Sequence, residues 1–156
     1  MRVGLLSDTH GKLRPEVFEQ FADVQHILHA GDIGPAELLT ELEAIAPVHA
    51  VSGNTDFFTP GDRIPEVQEL ELEGVRIAVM HGHQVGSPNA ANLRQTFPDA
   101  HVIVYGHTHR ALVERYDAAL VVNPGAAGAA RFRLLPSVGI LTLSNGTAEV
   151  EIVELA

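Results

Sequence analysis

Cysteine is absent from the 156 residues, which excludes both disulfide frameworks and thiolate zinc sites. Tryptophan is absent too, and Phe and Tyr together number eight, so any core must rest on Leu, Val, Ile and Ala. Cationic residues are scarce: ten Lys and Arg against twenty Asp and Glu leave a formal charge of −10. Duplex nucleic acid is therefore not an expected partner, because phosphate backbones are bound mainly through Lys and Arg. Bound cations would offset part of that negative charge. No uninterrupted apolar run approaches the ~20 residues that a membrane helix needs. Val3 to Leu6 runs directly into Ser7-Asp8, too short for the apolar region of a secretory leader. A cytoplasmic protein without a membrane partner is the expectation.

What is present is apolar residues, 46% of the chain, enough for a packed core and too many for disorder. The length predicts one domain over residues 1–156. Val3 to Leu6 reads as a buried strand closed by Ser7-Asp8. Pro15 then opens a helix with Val17, Phe18 and Phe21 on one side, since a first helical turn does not need the amide hydrogen that proline lacks. Val24 to His29 is a second strand ending at Ala30-Gly31-Asp32, and Pro35 to Ile45 a second helix with Leu38, Leu39, Leu42 and Ile45 at helical spacing. Val48 to Val51 is a third strand ending at Ser52-Gly53-Asn54. This order of strand, polar loop and helix predicts parallel strands with helical crossovers.

The later half changes pattern. Val67 to Leu72 and Val75 to Met80 form a hairpin around Glu73-Gly74. A helix around Asn89 to Phe97 leads to a buried strand, His101 to Tyr105. Short strands follow near Ala111 to Tyr116 and Leu120 to Val122, and a last hairpin joins Val138–Leu143 to Ala148–Val153 through Asn145-Gly146. Residues 60–65 and 125–130 read as loops.

The polar residues at the strand ends carry the chemistry. In sheets of this kind ligands gather at the carboxyl ends of the strands. Asp8 and His10, Asp32, Asn54, His81, and His107 with His109 follow five predicted strands. Singly, each is an ordinary turn or cap residue. Together they place three carboxylate or amide groups and four imidazoles at one end of the sheets, an arrangement that is costly when unpaired. Divalent cations would remove that cost, and a mixed imidazole and carboxylate set suits manganese, iron, cobalt, nickel or zinc better than calcium or magnesium.

The ordered set Asp8-Thr9-His10, Gly31-Asp32, Gly53-Asn54, His81 and Gly106-His107-Thr108-His109 resembles the calcineurin-like metallophosphoesterases, and within them the small YfcE-type phosphodiesterases. The resemblance spans essentially the whole chain, including Asn123-Pro124-Gly125. It implies an α/β fold, a four-layer αββα sandwich of two mixed sheets flanked by helices. It implies that Asp8, His10 and His109 hold one metal, that Asn54, His81 and His107 hold a second, and that Asp32 bridges the two. Manganese is the first expectation, with nickel, iron, cobalt or zinc as substitutes. The implied activity is hydrolysis of a small phosphoester, most of all a phosphodiester, with a metal-bridging hydroxide as nucleophile. A homodimer is expected from the same resemblance and from the frequency of two-fold dimers.

One position departs from the broad family, where His commonly follows the Asn and serves the leaving group. Here Thr55 stands in its place, as in the YfcE-type relatives, and threonine is no general acid near neutral pH. Good leaving groups should therefore be preferred. His83, in His81-Gly82-His83, is a candidate to contact phosphate, shuttle a proton or brace a ligand, so Asn54, His81 and His83 are the expected catalytic set. Asn54, His83 and Arg131 are the expected substrate contacts, with a solvated surface position as the plainer reading of Arg131 and Arg133. Asp56 should tie down its own loop. His29 reads as a core histidine, and His26, His49 and His101 as structural or surface residues. An alternative from another class is a non-catalytic metal-binding scaffold, since His81-Gly82-His83-Gln84-Val85 also resembles the retromer subunit of this fold.

Overall fold

The computed structural model describes residues 1–57, 64–129 and 133–155. The first sheet is built from β1 (Arg2–Leu6), β2 (His26–His29), β3 (Val48–Ala50), β9 (Ser137–Ser144) and β10 (Thr147–Glu154), in the order β10-β9-β1-β2-β3. The second holds β4 (Val67–Leu72), β5 (Val75–Met80), β6 (Val102–Val104), β7 (Leu112–Tyr116) and β8 (Ala119–Asn123), in the order β4-β5-β6-β8-β7. Both are mixed. β1, β2 and β3 pair in parallel, as the crossover pattern predicts, and β9 with β10 closes that sheet antiparallel. In the second sheet β5, β6 and β8 are parallel while β4 and β7 run antiparallel at the edges.

Three apolar layers explain the stacking. Val3, Leu5, Leu28, Val79, Val104 and Val122 fill the space between the two sheets. Leu6, Ile27 and Ala50, on the other face of the first sheet, pack with Phe21 and with Leu38 and Leu42 of α2 (Glu37–Glu43). Val17 of α1 (Pro15–Gln20) joins the same cluster. Ala78, Met80, Ile103 and Val121 cover Ala90 and Leu93 of α3 (Ala90–Thr96) and the Phe97 that follows it. A sheet buried on both faces needs a partner layer on each, and two such sheets share one of them. The result is the expected αββα sandwich.

Local chemistry sets the element ends. Asn89 and Asn92 cap α3 reciprocally, each side-chain oxygen accepting from the other's backbone N–H at 2.8 and 2.9 Å. Three hairpins turn on Glu73-Gly74, Asp117-Ala118 and Asn145-Gly146 with all six residues at positive φ, the backbone that matches strand twist. A short 3₁₀ turn, His83–Val85, is an element that apolar periodicity does not reveal. No helix among the described residues is long and apolar enough to cross a membrane.

Candidate metal centre

The loops after β1, β2, β3, β5 and β6 converge at one end of the sandwich. Asp8, His10, Asp32, His107 and His109 all have φ between 46° and 71°, the left-handed region that is uncommon for any residue but Gly, although Asn, Asp and His enter it more often than the rest. Each such residue is held at a cost of ~1–3 kcal/mol by its surroundings, and such positions cluster at functional sites. Here the restraint is visible. Asp8 N–H donates to Gly31 O at 2.9 Å and His10 N–H to Asp32 O at 2.9 Å, so the first two loops brace one another.

Both carboxylates are anchored by one oxygen and open at the other. Asp8 Oδ2 accepts from Ser7 Oγ at 2.7 Å and from the His107 N–H at 3.2 Å. Its Oδ1 is buried without a hydrogen-bond partner. That atom lies 3.2 Å from His109 Nε2, 3.8 Å from His10 Nε2 and 3.9 Å from His81 Nε2. Asp32 Oδ1 accepts from the Thr55 N–H at 3.0 Å, while Oδ2 lies 3.3 Å from His81 Nε2 and 3.7 Å from His10 Nε2. Asn54 Oδ1 lies 3.2 Å from His107 Nδ1, and the His81 and His107 rings meet edge to face at 5.2 Å. Asp8, His10, Asp32, His81 and His109 thus face one small space, and Asn54 and His107, paired with one another, flank it beside the His81 ring. Two donor groups within it, Asp8-His10-His109 and Asp8-Asp32-His81, have their donor atoms within 4.8 Å of one another.

The polar atoms facing that space fit a cation. His81 is fully buried, and its Nδ1 lies 2.8 Å from Ala30 O, an acceptor only. Nδ1 must therefore carry the proton, which turns the Nε2 lone pair toward two carboxylates. A lone pair facing carboxylate oxygen requires a proton or a metal ion between them. Without metal a proton serves. Burial opposes the imidazolium, but the close approach of the Asp32 carboxylate and the charge of Asp8 outweigh it, so His81 titrates above its usual value. Burial likewise works against ionised Asp32, yet the contacts with His81 and the Thr55 N–H prevail and depress it well below the carboxylate range. His107 shifts down, through burial first and then the neighbouring His81 charge, which keeps its imidazole neutral. His10 Nε2 and His81 Nε2 join Asp8 Oδ1 as buried atoms lacking any hydrogen bond.

Neighbouring residues brace the candidate ligands. His29 is fully buried and satisfied: its Nδ1 accepts from the Gly31 N–H at 3.2 Å, its Nε2 lies 3.0 Å from Thr9 Oγ1, and that hydroxyl donates to Ile33 O at 2.7 Å. Burial lowers its pKa to about 3, the charge of Asp8 opposing only in part. Asp56 ties its loop down as expected, accepting from the N–H groups of Ile33, Gly34 and Gly53. Asn123 is buried, and its Nδ2 donates to Gly106 O at 3.1 Å and Thr108 Oγ1 at 2.9 Å while its Oδ1 accepts from the Gly125 N–H at 2.9 Å. It fixes the loop carrying His107 and His109, a role that its place in Asn123-Pro124-Gly125 does not disclose. Gly106 is required by space: a Cβ there would stand 2.7 Å from Asp8 Oδ2.

The remaining expectations resolve individually. His83 sits on the 3₁₀ turn with its ring 5.5 Å from that of His81, and its Nδ1 is buried without a hydrogen bond. His26 and His49 pair with one another across β2 and β3 at 3.1 Å, and His101 Nδ1 accepts from the Arg76 N–H at 2.9 Å, both structural roles. Arg131 lies outside the described residues, as do residues 60–63 and 130 of the two expected loops.

A two-sheet sandwich with a buried histidine–carboxylate cluster at its strand ends defines a metallohydrolase-type α/β protein. The chain belongs to the calcineurin-like phosphoesterase superfamily, whose domain matches residues 1–146. A probable metallophosphoesterase of Methanothermobacter thermautotrophicus is 34% identical over 98% of this chain and 92% of its own length. A phosphodiesterase of Methanocaldococcus jannaschii is 30% identical over 90% and 92%. Among solved structures, vacuolar protein sorting 29 from Cryptosporidium parvum has a TM-score of 0.81 at 25% identity, covering 99% of this chain and 97% of that one. YfcE, a phosphoesterase from E. coli, has a TM-score of 0.68 at 26% identity, covering 100% of both.

Proposed function

We propose that this protein is a dinuclear metal-dependent phosphoesterase acting chiefly on small phosphodiesters, with phosphomonoesters as secondary substrates. The observation that carries the reading is the convergence of Asp8 Oδ1, His10 Nε2 and His81 Nε2, buried and without hydrogen bonds, on one space. Asp8, His10 and His109 would hold one cation, Asn54, His81 and His107 the other, and the open Oδ2 of Asp32 would serve both. When bound, two divalent cations supply a nucleophilic water at neutral pH and neutralise charge on the phosphoryl oxygens. Manganese is the first choice for this mixed donor set, with nickel, iron, cobalt or zinc able to replace it.

The chain's own residues do the rest. Ser7 and the His107 N–H fix Asp8, and Ala30 O fixes the ring of His81, so their donor atoms are set before any ligand arrives. The Asn54 amide contributes a neutral oxygen, leaving its NH₂ for a phosphate oxygen. His83, with a buried and unpartnered Nδ1, is placed to bond a phosphate oxygen or hold a proton beside His81. Thr55 supplies no proton to the leaving group. Residues 1–156 are taken as one domain, in keeping with the continuous apolar layers and the extent of the family match.

The test is to strip the protein with chelator and assay phosphodiester and phosphomonoester model substrates with manganese, nickel, cobalt, zinc or magnesium restored. Activity should return with manganese or nickel and be lost in Asp32→Ala and His81→Ala. Wild-type protein as inert as those variants under every condition would instead favour the metal-binding scaffold, a reading supported by the likeness to vacuolar protein sorting 29.

A further inference from the structure

A groove of about 470 Å³ opens beside the metal centre between the end of β6 and the segment entering β9. His109, whose Nε2 lies 3.2 Å from Asp8 Oδ1, forms one wall, so the groove borders the cluster at that residue. Arg110, Leu112, Arg133, Leu135 and Glu154 form much of the remainder. Two features set this surface apart. The chain carries ten cationic residues at a net charge of −10, and two of the ten meet here. Among the described residues neither Arg110 nor Arg133 has a carboxylate within ion-pair distance, a state they share with Lys12, Arg14, Arg76 and Arg115. Leu112 and Leu135 are also among the few large apolar side chains left exposed, at 46% and 54%.

The position of Arg110 is held from below. Its N–H donates to Thr108 Oγ1 at 3.2 Å, and the same oxygen accepts from buried Asn123. The loop that orients His109 therefore also sets where the Arg110 side chain begins.

Accepting the phosphoesterase reading above, we infer that this groove binds one half of the substrate, and that this half carries an apolar ring and a second phosphate. The leucines and a guanidinium face take the ring, since planar guanidinium stacks on heterocycles while aliphatic carbon excludes water. The other guanidinium pairs with the phosphate, in the geometry that suits planar donors. A nucleotide fits these demands, making the substrate class a phosphodiester in which one half is itself a nucleotide. Glu154 works against the same anion and limits its affinity.

Two diadenylates, alike except for a 5′-terminal phosphate, read the groove directly in manganese-loaded enzyme. kcat/KM should favour the phosphorylated compound about tenfold, the worth of one charge-assisted contact. Arg110→Met with Arg133→Met should bring that ratio toward one, and Glu154→Gln should raise it. Titration of adenosine 5′-monophosphate into chelated protein supplies a readout that needs no turnover: binding should weaken about tenfold in the double arginine variant and tighten in Glu154→Gln. Full manganese uptake by each variant certifies its fold. If wild type hydrolyses bis(p-nitrophenyl) phosphate but shows no preference between the diadenylates, and the three side chains leave nucleotide binding unchanged, the groove assignment is wrong. If no phosphoester is hydrolysed with any metal, the parent reading fails instead.

Discussion

His81 Nε2 and Asp32 Oδ2 stand 3.3 Å apart at the ends of strands from different sheets, and the first is the lone-pair side of an imidazole whose other nitrogen is committed to Ala30 O. A proton and a metal ion compete for that gap. In metal-free protein the raised His81 pKa stabilises the fold below about 6.5, and this contribution is lost as pH climbs through the raised value. Depressed Asp32 stabilises above its ordinary 3.8 and ceases to do so as pH falls through its lowered value. The pair is thus strongest between those limits. Metal must displace the His81 proton, so manganese affinity should tighten by up to about tenfold per pH unit below the raised His81 pKa and level off above it. Binding isotherms check this, with a shallower rise expected for His81→Gln. A flat profile in wild type would contradict the assignment.

His29 bears on acid stability. Its folded pKa of about 3 lies below the unfolded 6.5, so its stabilising contribution is complete above 6.5 and drains away as pH falls toward 3. The residue is fully buried, and the slope attributable to it is about 1.4 kcal/mol per pH unit in that window. Urea unfolding of chelated protein from pH 7 to 4.5 should therefore show a steeper loss of stability in wild type than in His29→Gln. Equal slopes would mean that this imidazole takes up its proton elsewhere than in the unfolded chain.

Asn123 should matter to both stability and metal. Removing its side chain leaves Gly106 O, Thr108 Oγ1 and the Gly125 N–H without the bonds they now make. Asn123→Ala is expected to cost about 2–3 kcal/mol of unfolding free energy. Because the freed loop carries His107 and His109, metal affinity should also drop by about 10–100-fold. Thermal melts and metal titration read the two effects separately.

With Thr55 beside Asn54, the proposed hydrolysis should be sensitive to the leaving group. Across a series of aryl phosphodiesters, log kcat/KM should fall steeply as the leaving-group pKa rises. Thr55→His, at an exposed position whose backbone N–H already braces Asp32, should flatten that plot and raise turnover of the poorest leaving groups by up to ~10²-fold. Parallel plots for the two proteins would show that proton donation at this position is not limiting.

Much of this organisation is legible in the amino-acid order. Short, largely apolar segments, each followed within a few residues by Asp, Asn or His, specify both the buried strands and the end at which the polar groups emerge. The reason is local: burial on a strand is written in consecutive side chains, and a charged residue at the end of such a run can only sit beyond the core. What tertiary structure alone decided is the chemistry at atomic scale. The oxygen of Asp8 that faces the cluster is selected by the N–H of His107, 99 residues away, and the tautomer of His81 by a carbonyl 51 residues distant. Left-handed backbones at five of the candidate ligand positions, the clamp made by Asn123 and the groove between Arg110 and Arg133 arise in the same way. Each depends on loops from separate strands meeting once two sheets have packed face to face, and that meeting has no period along the chain.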